Sequence, residues 1–190
     1  MEKAWRLRHE VFVDEKKWLA LLKPDGREID EFDDDRAIHM LAWDGDELVG
    51  YQRMLPTTRP YLLSAVYPEL CEEEIPHSKT VWEWTRYAVK KEHRARGRML
   101  SPTANHLLSA IVEWGLRDGV NSIIIEMNPL WMLRLVQLHF RVVPLGICQE
   151  MEGEDVLAVQ AHFDRRTLQK LREVRGNIHS VLERESALAG

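Results

Sequence analysis

The run GREIDEFDDD carries Glu28, Asp30, Glu31, Asp33, Asp34 and Asp35. Acidic runs are ordinarily solvated loop, but Asp30 and Asp33 converge if the chain turns once between them. Two converging carboxylates suit a cation such as an ammonium or sulfonium centre. The central glycine and terminal glutamate of an EF-hand are missing, so a calcium site is not indicated. A second set of charges stands in VWEWTRYAV, residues 81 to 89, which reads as a buried strand yet holds Glu83 and Arg86. An unpaired charge in a sheet interior is expensive, so these two must be paired, placed in a cleft, or both. In a regular strand they point to opposite faces, so a shared site requires a bulge or a splayed strand end. Arg53, in the preceding strand, adds a third charge to the same region.

These residues need elements to hold them. Trp5, Leu7, Val11, Phe12, Trp18 and Leu21 fall at helical spacing, predicting a helix over residues 3 to 22 that ends at KPDG. HMLAWDGDELVGYQRMLP predicts a hairpin around its DGDE turn. Residues 57 to 80, with three prolines and the acids of CEEEIPHS, predict a long surface excursion with a short helix near Tyr67 to Leu70. After the Glu83 strand and the basic loop KKEHRARGRML, Ser101 and Pro102 stand as N-cap and first-turn residues of a helix closing near Gly119. A strand NSIIIEMN, a helix from Pro129, a strand RVVPLGICQEM, its partner VLAVQAHFD and an amphipathic helix from Thr167 to about Glu185 follow. A strand leading through a helix to a second strand of the same sheet implies a parallel pair in an otherwise antiparallel sheet. The expected class is an α/β sandwich.

The chain has 190 residues, 45% hydrophobic and 30% charged, enough for one full-sized core, so a single domain over residues 1 to 190 is expected. With 31 acidic against 26 basic residues and a formal net charge of -5, binding driven by phosphate neutralisation is disfavoured and no nucleic-acid partner is expected. No segment reaches the ~18 apolar residues that span a bilayer, so no membrane partner is expected either. Cys71 and Cys148 lie far apart without CxxC spacing, which fits a reducing cytoplasm and indicates neither a disulfide framework nor a zinc site. Neither cysteine, and no serine, has a histidine and an acid at recognisable triad spacing.

Four motifs occur in series. Arg8, Phe12 and Trp18 give ArgxxxPhexxxxxTrp; Asp30 and Asp33 give AspxxAsp; Arg53, Met54 to Thr58, Pro60, Tyr61 and Leu63 give a proline- and threonine-rich run; Glu83 and Arg86 give GluxxArg. Over roughly residues 6 to 150 the chain resembles the acyl-homoserine-lactone synthases, the LuxI-type autoinducer synthases of bacterial quorum sensing. The resemblance implies a GNAT-like three-layer sandwich with a splayed parallel strand pair and helices on both sheet faces. It implies an acyltransferase that joins an acyl thioester to S-adenosylmethionine and releases methylthioadenosine, with both as substrates and no prosthetic group or metal. Within it Glu83 is the general base and Arg86 its catalytic neighbour. Asp30 and Asp33 hold the cationic end of S-adenosylmethionine, Arg53 and Arg86 face its carboxylate or brace the acids, and Arg8, Phe12 and Trp18 cover the nucleoside. Opposite charges around Glu83 are expected to favour its ionised form.

The basic loop partly resembles the RxxGxG/A turn of GNAT-type acyltransferases, through Arg94 and Gly97 with Arg96 and Arg98 beside them, although Met99 stands where a small residue is usual. There backbone N–H groups and the helix dipole hold the coenzyme A pyrophosphate. Lys90, Lys91 and the three arginines equally suit an acyl carrier protein. The acyl tail is expected between the Glu83 strand and the strand at 122 to 128, against Trp84, Met127, Trp131, Met132 and Leu135. Walls so bulky suggest a short, branched or aromatic acyl group on coenzyme A. Only seven residues precede Arg8, so the family's N-terminal edge strand is expected to be absent. The motifs favour this reading over a GNAT-type N-acetyltransferase of another amine or a non-catalytic thioester-binding module. The oligomeric state is left open, and the C-terminal helix is expected to pack on the sheet or serve a dimer.

Overall fold

The computed structural model of the chain describes residues 1–95, 100–151 and 153–183. Its strands are β1 (Ile38–Asp44), β2 (Glu47–Pro56), β3 (Val81–Val89), β4 (Ser122–Met127), β5 (Arg141–Pro144), β6 (Gln149–Met151) and β7 (Glu154–His162). They form one sheet in the order β1-β2-β3-β4-β7-β5, with β6 also paired to β7. Every pairing is antiparallel except that of β3 with β4. The expected hairpin is β1 and β2, with Asp44 opposite Glu47 across the turn.

The parallel pair is short. Val81, Trp82 and Glu83 lie against Ser122, Ile123 and Ile124, and there the ladder stops. β3 continues along β2, while β4 stays with β7 as far as Met127 opposite Leu157. Beyond Glu83 the two strands no longer pair with each other, each keeping only its other neighbour, so the sheet parts there.

Helices cover both sheet faces. α1 (Glu2–Arg8) packs Ala4 and Leu7 with Leu48, Tyr51 and Ala88, and α2 (Leu62–Val66) on the same face contributes Leu63 to a cluster with Leu55, Val81, Ile124 and Ala158. On the other face α3 (Pro102–Asp118), α4 (Leu130–Gln137) and α5 (Arg165–Arg175) close over Trp84, Ile123, Ile125 and Val159. The alternation is plain in β4, where Ile123 and Ile125 enter one core and Ile124 the other. α3 starts as expected, with Ser101 Oγ accepting from Ala104 N at 3.1 Å, and ends at Gly119.

Four expectations change. The helix expected over residues 3 to 22 is α-helical only to Arg8; His9–Glu15 is π-helical and a 3₁₀ turn spans Leu19–Leu21. Val11, Phe12 and Val13 are all buried, a consecutive run that the narrow stripe of an α-helix cannot turn inward. The excursion over 57 to 80 holds the expected turn at Pro68–Leu70, but it is not mere surface: Thr57, Tyr61, Leu63 and Leu70 are buried. Thr57 Oγ1 donates to the carbonyl of Val81 and accepts from Ser78 N, and Tyr61 Oη donates to the carbonyl of Pro76, so the loop closes on itself. RVVPLGICQEM is two strands, since Gly146 lies so close to Leu70 that a Cβ there would come within 2.4 Å of its carbonyl oxygen. The C-terminal helix stops at Arg175 because Gly176 takes a left-handed conformation with φ of 69°; Glu185 lies outside the described residues.

Candidate active site

The three separate sequence signals meet on the α1 side of the sheet, in front of β2 and β3. Arg8, Arg53 and Arg86 interlock there with Glu28, Asp30 and Asp33. Arg8 Nε donates to Glu28 Oε2 at 2.5 Å, and Nη1 donates to Asp33 Oδ1 at 2.7 Å and Tyr51 Oη at 3.2 Å. Arg53 grips both oxygens of Asp30, at 2.5 and 3.1 Å, and its Nε donates to Thr85 Oγ1 at 3.0 Å. Arg86 bridges Glu28 Oε2 at 3.1 Å and Asp30 Oδ2 at 2.8 Å. Three guanidinium groups and three carboxylates balance, as groups this deeply buried must. Asp33 N donates to the carbonyl of Asp30 at 3.1 Å, so the single turn that brings the two aspartates together is present.

Arg86 reaches this face through a bulge. Tyr51 opposes Ala88 and Arg53 opposes Thr85, so two steps along β2 match three along β3. Arg86 takes the extra place with φ of 55°, a rare region for a residue with a side chain. The slip brings Arg86 onto the side of Glu83 and Thr85. Tyr87 turns to the other core, where its ring lies 5.2 Å from that of Trp84.

The cluster has an aromatic wall. Phe12 and Trp18 are stacked with centroids 5.2 Å apart, because Lys17 at φ of 62° folds the chain back after the π-helical segment. Arg86 lies over Phe12 at 5.9 Å, and Arg8 over Trp5 at 5.2 Å. His39 Nδ1 lies 2.6 Å from Tyr51 Oη. Burial pushes the Asp33 carboxyl up, but the Arg8 hydrogen bond and the charges of Arg53 and Arg8 outweigh it and hold the group at about 2. Burial pushes Tyr51 up to about 12, so it stays a neutral donor.

Glu83 stands apart from the arginines. Leu62 N and Leu63 N, the first amides of α2, donate to its two oxygens at 2.9 and 2.6 Å. The expectation that opposite charge favours its ionised form is corrected. Complete burial at the foot of the splay pushes Glu83 up to about 7, and the two amides and Arg53 only partly offset it. A carboxyl that changes state near neutrality can take a proton and give it back. Across the splay, Glu126 on β4 lies within hydrogen-bonding reach of Glu83 and was not singled out by sequence reasoning. The signal was available, for SIIIEM is another apolar strand with one charge. Glu28, buried at 1% exposure, was read only as one acid of the loop.

The expected acyl walls face the other core. Trp84 is buried and Met127 packs against the cluster around it, while Trp131, 41% exposed, stands 6.3 Å from Tyr87 at the rim. Met132 packs at the same core and Leu135 belongs to its interior. Where β3 and β4 part, the sheet between Glu83 and these aromatics is not closed by backbone pairing. Arg94 leaves the end of β3, donating to the carbonyl of Val89 at 2.8 Å and to Glu15 at 2.6 Å. Arg96, Gly97 and Arg98, expected with it at a pyrophosphate, lie outside the described residues, as does Met99.

A family model described as autoinducer synthase matches residues 1–171. An isovaleryl-homoserine lactone synthase of Bradyrhizobium diazoefficiens is 34% identical over 174 residues, covering 91% of this chain and 77% of that protein. The structure of a CoA-dependent acyl-homoserine lactone synthase, BjaI, with SAM and isopentyl-CoA is similar with a TM-score of 0.88 at 33% identity, over 94% of this chain and 83% of that one. A putative N-acetyltransferase from Lactobacillus plantarum shares the fold alone, with a TM-score of 0.56 at 19% identity over 85% of this chain and 90% of that one.

Proposed function

The chain belongs to the autoinducer synthase family, and from that premise we propose that it makes an N-acyl-homoserine lactone from S-adenosylmethionine and a short, branched acyl group carried on coenzyme A. The observation that carries the reading is Glu83. It is a buried carboxyl poised near neutrality, at the point where β3 and β4 part, on the face that gathers the aspartates and arginines.

The amine of S-adenosylmethionine is an ammonium in water and cannot attack until it loses a proton. Glu83 takes that proton, directly or through a water. The nitrogen then adds to the thioester carbonyl, the carbon–sulfur bond breaks, and the coenzyme A thiolate leaves. The amide nitrogen gives up its second proton as the intermediate collapses, so the thiolate leaves as a thiol and one proton is released overall. The carboxylate of the methionine portion next attacks the carbon beside the sulfonium, closing the lactone and expelling methylthioadenosine with no further proton.

The acid–arginine network supplies paired carboxylates for the sulfonium end and guanidinium groups for the carboxylate. Phe12 and Trp18 form the wall over the nucleoside, and Arg8, expected with them, is fully buried and instead ties that wall to Glu28 and Asp33 of the acidic loop. Trp84, Met127 and Trp131 bound the acyl group, and Arg94, with Arg96, Gly97 and Arg98, takes the phosphates of the donor. Three aromatic rings, Trp84, Tyr87 and Trp131, favour a compact acyl group over a long linear one, and with it a coenzyme A donor over a carrier protein. No helix among the described residues is long and apolar enough to cross a membrane, and Cys71 and Cys148 are free. Both features suit work on cytoplasmic metabolites.

The test incubates the protein with S-adenosylmethionine and matched coenzyme A and carrier-protein thioesters across chain lengths, following methylthioadenosine. Release is expected with short branched acyl-coenzyme A, and Glu83→Gln should lower it by a factor of about 10² to 10⁴, the usual worth of a general base. Acyl transfer with no dependence on S-adenosylmethionine would return the chain to the N-acetyltransferase class. Strong preference for long carrier-protein substrates would remove the acyl assignment.

A further inference from the structure

Glu126 has a surrounding that an ordinary strand residue would not. On β4 it stands two residues beyond Ile124, the partner of Glu83, and therefore on the same sheet face as Glu83, just past the point where the two strands part. Its Oε1 is buried and accepts no hydrogen bond among the described residues, although its carboxyl lies within hydrogen-bonding reach of Glu83.

Glu83 is fully buried and Glu126, half-buried, turns a buried Oε1 toward the same splay; two carboxyls in contact there repel when both are ionised, so one of them keeps a proton. Donor count decides which. Glu83 receives two backbone N–H groups, at 2.9 and 2.6 Å, and such donors favour a carboxylate. Glu126 has an orphaned oxygen, which suits the carbonyl of a neutral acid.

We propose that Glu126 is a positioning residue for Glu83: its neutral carboxylic acid donates a hydrogen bond across the splay into the Glu83 carboxylate, keeping the base ionised and aimed into the cleft. This deepens the proposed function and rests on its assignment of Glu83. The groups around Glu126 agree with it. Burial and the Glu83 charge both raise its affinity for a proton, and its own backbone N–H, one donor against the two on Glu83, and then Arg86 oppose them only in part. Tyr61 and Cys71, on the excursion, are themselves held neutral by burial, and Arg53 acts on Glu83. From β7 the in-register neighbour is Ala158, which carries no charge.

During acylation the arrangement predicts one direction of proton flow. The substrate ammonium gives its proton to Glu83, leaving two neutral acids; the second nitrogen proton leaves with the thiolate, Glu83 then releases its own proton to solvent, and the shared hydrogen bond re-forms. Glu126 neither gains nor loses a proton over the cycle.

The experiment follows protonated carboxylic acids by infrared spectroscopy in the ligand-free protein, comparing parent, Glu126→Gln and Glu126→Leu across pH. The parent should keep one carboxylic-acid band at pH values well above that at which Glu83 ionises, and Glu126→Gln should lack it. The Glu83 band should disappear at nearly the parental pH in Glu126→Gln, whose amide still donates, and about one pH unit higher in Glu126→Leu. The acid limb of kcat/KM should move in the same way, about a tenfold loss below the limb for Leu, with the Gln variant rescued. Absence of the persistent band, or an unmoved Glu83 midpoint in Glu126→Leu, overturns the proposal. The infrared titration needs no turnover, so failure to release methylthioadenosine would sink the proposed activity while Glu126 is still judged on its own.

Discussion

Arg86 shows how much of this site is decided by one backbone angle. A side chain at φ of 55° costs of order 1 kcal/mol or more, and a glycine there would escape that cost. The protein keeps arginine because its guanidinium bridges Glu28 and Asp30, which would otherwise share two arginines among three acids. Substitution should therefore separate strain from charge. Arg86→Gly and Arg86→Ala lose the same ion pairs, but only alanine keeps the unfavourable angle. Glycine is expected to be the more stable variant by about 1 kcal/mol in urea denaturation, the reverse of the usual order within a strand. Both should lose methylthioadenosine release. If alanine proves the more stable, the left-handed bulge is not what carries Arg86 to the Glu83 face.

At the scale of elements, each structural piece brings one part of the network, and the pieces were unequally legible. The hairpin, β3, α3 and β4 follow from alternation, caps and turn residues, and the requirement for a bulge followed from charges three residues apart. What escaped was set by tertiary contact. The π-helical turn exists to bury Val11, Phe12 and Val13 together, and local spacing cannot announce it. The prolines of 57 to 80 read as surface, whereas this segment folds α2 so that its first two amides hold Glu83. The family motifs named Asp30, Asp33, Arg53, Glu83 and Arg86 and left open whether the arginines brace the acids or face the substrate carboxylate; that both pair with Asp30 depends on how the acidic loop crosses β2 and β3. Arg8 is the tie between α1 and that loop, so Arg8→Met leaves Glu28 and Asp33 short of a buried partner. It should cost about 3–5 kcal/mol in chemical denaturation, whereas an exposed pair such as Arg6 with Glu2 contributes about 1 kcal/mol or less. On the opposite face, Trp84→Ala should shift substrate preference toward longer acyl-coenzyme A thioesters, read as the ratio of kcat/KM for long over short chains. An unchanged ratio would assign Trp84 to the core alone.

For the molecule as a whole, a base held near neutrality inside the sheet is a debt against stability, and its pH dependence has a definite sign. In the unfolded chain Glu83 ionises near the ordinary value of 4.5, and in the folded protein at about 7. The folded state therefore binds the proton more tightly. The stabilisation from that proton is fully present below pH 4.5 and is lost as pH rises through about 7, a change of roughly 3 kcal/mol over the window. Asp33 acts in the opposite sense but in a lower window, since its folded value of about 2 lies below the ordinary 3.8 and its contribution fades only as pH falls through that range. Between pH 5 and 8 the Glu83 effect is thus separable from it. Glu83→Gln cannot ionise, so its stability relative to the parent should rise across this interval, even though its amide serves the Leu62 and Leu63 amides less well and lowers stability at pH 5. Urea midpoints for both proteins at pH 5 and pH 8, with comparable denaturant slopes, measure the difference. A gap that widens in favour of glutamine by about 2–3 kcal/mol fits a carboxylate whose charge the fold tolerates for the sake of chemistry. A gap independent of pH would mean that Glu83 is already ionised at pH 5, and the sheet would then hold an ordinary anion where the reaction needs a base.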